Sequence, residues 1–164
     1  LEEKGYVHRI VNASISGDTT GNGLRRLPRA LDIHQPEILI IALGGNDGLR
    51  GLPIETIRDN LAQMITLGRE SGARVVVAGM LMPPNYGDDY TSEYADIYPA
   101  VAKEYNTALI PFFMDGVALE PELMQDDGIH PNTAAQPILM DNVWATLEPM
   151  LVKQTSANAT RSYH

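Results

Sequence analysis

The chain contains no cysteine, which excludes disulfides, thiolate metal centres and a cysteine nucleophile together. Basic residues are few: 12 Lys and Arg stand against 21 Asp and Glu, a formal charge of -9. Binding along a phosphate backbone needs clustered Lys and Arg, so no nucleic-acid partner is expected. Long apolar runs are also lacking. No stretch approaches the roughly 20 residues that cross a bilayer as a helix, and no stable membrane insertion is expected. Residues 1–9 have neither the basic start nor the apolar core of a secretory signal, although a leader would be lost with any earlier part of the chain. There are no internal repeats and no low-complexity segment.

What is present fits one globular domain. With 164 residues, 44% hydrophobic and 20% charged, the chain is long enough to bury a single core. Four short apolar runs, each closed by turn residues, alternate with longer helical patterns. The runs cover residues 9–15, 38–43, 74–80 and 108–113. Continuous β-branched runs of this length read as parallel strands buried on both faces. Helices are expected over Thr20–His34 and residues 53–71, 92–105 and 133–151. The second has Pro53 near its first turn, Ile54, Ile57, Leu61, Met64, Ile65 and Leu67 at helical spacing, and Gly72 at its end. This alternation predicts an α/β doubly wound sheet with helices on both faces. The domain should span residues 1–152, with a polar tail over 153–164.

Ligand sites in such sheets lie outside the carboxyl ends of the strands, so the loops after the runs hold the candidate chemistry. Ser16-Gly17-Asp18-Thr19 offers a backbone N–H at a glycine, where no Cβ blocks a ligand; on spacing alone it reads more readily as a plain turn that caps the next helix. Gly44-Gly45-Asn46-Asp47 follows a buried strand and presents the Asn46 amide at the sheet edge. An amide N–H there could stabilise an oxyanion in acyl transfer, or the loop could be an Asx-turn with Asp47 as a helix cap. Asp126-Asp127-Gly128-Ile129-His130-Pro131-Asn132 is the strongest local signal. Its spacing lets the Asp127 carboxylate reach the His130 Nδ1–H, orienting the ring and leaving Nε2 free as general base. The alternative is an acidic surface turn with an incidental histidine. No second histidine lies at ligand spacing, so no metal is expected, and His8, His34 and His164 are read as solvated. Among the serines, only Ser14 and Ser16 fall near the carboxyl edge, and neither sits in a nucleophile elbow.

Taken in order, the three loops resemble conserved blocks two, three and five of the SGNH (GDSL) hydrolases. The resemblance runs from about Val11 to Leu151 and includes Asn12-Ala13-Ser14-Ile15-Ser16-Gly17-Asp18-Thr19, Leu43-Gly44-Gly45-Asn46-Asp47-Gly48-Leu49-Arg50-Gly51 and Pro84-Asn85-Tyr86-Gly87. Within the family it points to the bacterial thioesterase, lysophospholipase and arylesterase group. It implies a flavodoxin-like three-layer α/β/α sandwich with strand order 2-1-3-4-5. It also implies hydrolysis of carboxylic esters and thioesters by a serine acyl-enzyme, without cofactor or metal, on a small acyl substrate. Gly17 would donate a backbone N–H and Asn46 a side-chain N–H to the oxyanion hole. His130 would be general base and then acid, oriented by Asp127. The segment Met80-Leu81-Met82-Pro83-Pro84-Asn85-Tyr86-Gly87 could wall an acyl groove through Pro84, Asn85 and Tyr86, or be a rigid proline-bearing loop with packed methionines.

The sequence departs from the family at block one. In the family a Gly-Asp-Ser-Leu-like motif after the first strand supplies the nucleophilic serine, and none occurs here. A strand with its crossover takes roughly thirty residues, and ten precede Val11. The expectation is therefore that the first strand and its serine are missing from this chain. A periplasmic or secreted bacterial location is expected. Two rival readings remain: a non-catalytic remnant kept as a binding module, and a flavodoxin-like cofactor or phospho-acceptor domain, which leaves the Asp127–His130 pair unexplained.

Overall fold

The computed structural model describes residues 1–152; the expected polar tail and His164 lie outside them. The elements that position the site are α1 (Thr20–His34), β1 (Ile38–Ile41), α2 (Gly45–Leu49), α3 (Ile54–Glu70), β2 (Arg74–Ala78), α4 (Asp88–Glu104), β3 (Ala108–Ile110) and α5 (Gln136–Leu147). Short 3-10 turns include Pro84–Tyr86 before α4 and Thr133–Ala135 leading into α5. Thr19 starts α1 by accepting from the Asn22 N–H at 3.3 Å, and Gln35, in the left-handed region at φ 42°, stops it before Pro36.

The three strands are parallel and lie in chain order, Ile38 opposite Arg74 and Val76 opposite Ala108. Alternate residues point to opposite faces, and the core divides accordingly. Leu39, Ile41, Val75, Val77 and Leu109 pack under α1, α3 and α4 with Ile57, Leu61, Met64 and Ile65. Val76, Ala78 and Ile110 pack on the other face against Val143 and Met150, from α5 and the turn after it. Helices on both faces of a parallel sheet make the expected three layers. The central strand β2 is buried on both faces, as continuous apolar runs require.

Two expectations need correction. Residues 9–15 do not form a strand: among the described residues no ladder partner meets them, and Ile10 and Ile15 are exposed. A backbone run becomes a strand only where a neighbour takes its N–H and C=O groups. Here Arg26 Nη1 instead holds the Ala13 carbonyl at 2.6 Å, so the observed sheet is the 3-4-5 stretch of the expected order. Nor is β1 buried on both faces. Ile40 is exposed, because it faces the side where α5 packs over β3 rather than β1.

Candidate active site

Parallel strands put all their carboxyl ends at one edge, and the loops after β1 and β3 carry the candidate groups. The first is a five-residue helix that the sequence did not announce. Gly44 takes φ 117° and turns the chain out of β1 directly into α2, whose second residue is Asn46. The Asn46 Nδ2 donates to the Asp18 carbonyl at 3.0 Å. That bond fixes the amide orientation and leaves the second N–H of the same NH2 group. Gly17, one residue before that carbonyl, has φ 80° and is exposed. Among the described residues nothing accepts from its backbone N–H. Two N–H donors thus stand on adjoining, hydrogen-bonded segments.

Behind them is a buried staple. Asp47 is fully buried, and Thr20, also fully buried, donates its backbone N–H to both carboxylate oxygens at 3.1 and 2.8 Å. The Thr20 hydroxyl donates to the same carboxylate and accepts from Asn60 Nδ2 at 2.9 Å. Asp47 therefore caps α1 across space, where the helix N-terminus favours a negative charge. It does not cap its own helix, as the alternative reading of that loop had it. Arg26 Nε donates to Asp18 Oδ2 at 2.7 Å, and Arg50 Nη2 to the Gly17 carbonyl at 3.3 Å. Sequence reasoning missed Thr20, Arg26 and Arg50, because their partners lie 8 to 33 residues away.

The second group is the Asp127–His130 pair. His130 Nδ1 faces Asp127 Oδ2 at 2.7 Å, and a carboxylate in that position selects the Nδ1–H tautomer of the neutral ring, in which Nε2 is the acceptor. Asp127 Oδ1 meanwhile accepts the backbone N–H groups of Ile129 and His130 at 2.9 and 3.0 Å. The His130 backbone N–H, its ring and the Ile129 N–H together hold the Asp127 carboxyl down at about 2. Both side chains are exposed. The loop is anchored by a bridge between Met124 and Pro131 and by Asn132, whose Nδ2 donates to the Glu122 and Met124 carbonyls.

Residues Pro84–Tyr86 form a 3-10 turn. Pro84 and Asn85 are exposed, whereas the Tyr86 hydroxyl donates to the Leu49 carbonyl at 3.1 Å. Ser14 and Ser16 are exposed, with the Ser14 N–H donating to Asn12 Oδ1. His34 is exposed as expected. His8 is not: its side chain is 12% exposed, with Nε2 3.3 Å from Glu37 Oε2, a contact without hydrogen-bond geometry. Among the described residues no cluster of His, Asp and Glu could hold a metal ion, and no helix is long and apolar enough to cross a membrane.

A three-layer parallel sandwich with an aspartate-held histidine and fixed amide donors in its edge loops is an architecture of SGNH hydrolase type. The chain belongs to the GDSL-like lipase/acylhydrolase family, whose family model matches residues 1–137. It is 50% identical over 151 residues to the esterase TesA of Pseudomonas aeruginosa, covering 92% of this chain and 75% of that one. It is 45% identical over 142 residues to thioesterase 1/protease 1/lysophospholipase L1 of Escherichia coli, covering 87% and 68%. A crystal structure of TesA superposes with TM-score 0.89 at 50% identity, over 92% of this chain and 83% of that one. The psychrotrophic esterase EstA from Pseudoalteromonas, inhibited by monoethylphosphonate, gives 0.81 at 36% identity, over 85% and 76%.

Proposed function

We propose that the protein hydrolyses carboxylic esters and thioesters of small acyl substrates through a serine acyl-enzyme. The observation that carries this reading is the 2.7 Å contact between His130 Nδ1 and Asp127 Oδ2, which leaves Nε2 free to take a proton. In the reaction a serine hydroxyl attacks the acyl carbonyl as His130 Nε2 removes its proton. The carbonyl oxygen becomes an oxyanion, held by the Gly17 N–H and the free N–H of Asn46. Collapse expels the alcohol or thiol, which takes the proton back from His130. Water, deprotonated by the same nitrogen, then releases the acid and regenerates the serine. Asp127 stays ionised throughout and stabilises the imidazolium. Pro84, Asn85 and Tyr86 are assigned to the wall of the acyl groove, and the serine to a segment outside these 164 residues. The location proposed is periplasmic or secreted, which a cysteine-free chain tolerates without risk of misoxidation.

The test is the intact mass of the full-length natural protein and of the 164-residue chain, before and after a fluorophosphonate probe. One adduct on the full-length protein and none on the shorter chain is the expected result. An adduct on the shorter chain moves the nucleophile to Ser14 or Ser16. No adduct on either favours the second reading, a scaffold kept for binding, for which the absence of a Gly-Asp-Ser-Leu motif in these residues speaks.

A further inference from the structure

Four tyrosines recur at steps of four residues: Tyr86, Tyr90, Tyr94 and Tyr98. That spacing sets the last three along one face of α4, with Tyr86 in the turn just before it. Three of their hydroxyls bond the one segment, residues 43–52, that carries α2. Tyr98 donates to the Leu43 carbonyl at 3.1 Å, Tyr86 to Leu49 at 3.1 Å and Tyr90 to Leu52 at 3.0 Å. Tyr94, with the Tyr98 proton already committed, donates to the Tyr98 oxygen at 2.8 Å. Leu43 precedes α2, Leu49 is its last residue and Leu52 lies in the turn beyond. Backbone N–H groups of Arg50, Gly51 and Leu52 already satisfy the Asn46, Asp47 and Gly48 carbonyls. The phenols take the carbonyl left over at the helix end, Leu49, and the two that flank the helix.

The contact is also steric. A Cβ on Gly44 would stand 2.1 Å from the Tyr98 hydroxyl, and one on Gly48 would stand 2.3 Å from the Met82 sulfur and 2.7 Å from the Tyr94 ring. The rings also pack on one another, Tyr90 and Tyr94 tilted with centroids 6.2 Å apart and Tyr94 and Tyr98 edge to face at 5.8 Å. Tyr94 and Tyr98 are fully buried, and burial foremost raises both phenols far above their ordinary range, so they remain donors. Each of these four phenolic protons is committed to a carbonyl or to another phenol. None is left for a substrate.

We propose that this tyrosine rack fixes α2 and through it the Asn46 amide, so that Tyr90, Tyr94 and Tyr98 are positioning residues for the oxyanion donor. The inference rests on the assignment of Asn46 to the oxyanion hole. α2 is held from two sides: by the rack at the carbonyls of Leu43 before it, Leu49 at its end and Leu52 beyond it, and by Thr20 at the Asp47 carboxylate. Five residues cannot hold a helix by their own hydrogen bonds. The angle at which Asn46 meets the acyl carbonyl is therefore set by α4.

A double-mutant cycle on the full-length protein tests this, with p-nitrophenyl butyrate as substrate. Tyr98→Phe alone should lower kcat about tenfold with KM little changed, the signature of a misplaced transition-state donor. Asn46→Ala should lower kcat on the order of 10²–10³. Adding Tyr98→Phe to Asn46→Ala should cost nothing more, because the phenol acts only through that amide. An undiminished Tyr98 effect in the Asn46→Ala background, or one confined to KM, overturns the proposal. If Asn46→Ala leaves kcat unchanged, the oxyanion assignment has failed and the positioning role falls with it. Hydrogen exchange separates the two failures. The Gly48 and Leu52 amides, bonded to the Gly44 and Asp47 carbonyls, should exchange faster in Tyr98→Phe while those of β2 do not. Equal rates would show that the rack does not hold α2. Should Tyr98→Phe fail to fold, the half-buried Tyr90→Phe enters the same cycle.

Discussion

Asp127 is exposed, yet its carboxyl is held at about 2 by two backbone N–H groups and the His130 ring. A carboxyl depressed from 3.8 in this way stabilises the turn above about pH 4, and that contribution is lost as pH falls through about 2. A carbon-13 titration of Asp127 should give a midpoint near 2, and Gly128→Pro, which removes a φ of 65°, should return it toward the ordinary value. His130→Ala in the full-length protein should lower kcat by several orders of magnitude in an ester assay; near-normal turnover would remove His130 from the chemistry. This pair was legible because its whole geometry fits within four consecutive residues. Asp47 is the opposite case. Its partner Thr20 is 27 residues away, and nothing in either local sequence distinguishes a spatial cap from an ordinary turn. Asp47→Asn would set an amide N–H against the Thr20 N–H in a fully buried site. It should cost about 1–3 kcal/mol in urea unfolding and slow turnover as well.

At the level of elements, α1 is legible from the cap that Thr19 offers it, and α3 because its apolar stripe is long and regular. The opposite holds for α2, five residues of which two are glycine. Helix propensity argues against it, and only Gly44, the rack and the Asp47 staple impose it. Gly44→Ala tests that dependence. A φ of 117° is strained for any L side chain, and the added methyl meets the Tyr98 hydroxyl. The strain alone should cost about 1–3 kcal/mol, read as a lower urea midpoint, and kcat should fall with it. The misread run at residues 9–15 has a related cause. Apolar β-branched residues license a strand, but pairing decides it, and pairing is not written in the run itself.

The molecule as a whole divides its work between the two faces of the sheet. The side under α1, α3 and α4 holds most of the fully buried residues, including Ile57, Leu61 and Ile65. Ile57→Ala should therefore destabilise by about 2–5 kcal/mol in denaturant titration without touching the edge loops. The layers were legible because β–α alternation leaves a parallel sheet few arrangements. What could not be read was where each layer stops, since the reach of α5 across the sheet depends on its docking angle and not on its own pattern. The Asp47 staple has a further consequence. It joins the start of α1 to the segment bearing Asn46, so whatever rigidifies one must rigidify the other to the same degree in free energy. A phosphonate bound to the oxyanion donors should slow proton exchange at the Thr20 amide, and loosening the first turn of α1 should weaken the phosphonate by the same factor. Recognition and helix fraying are then two readings of one equilibrium.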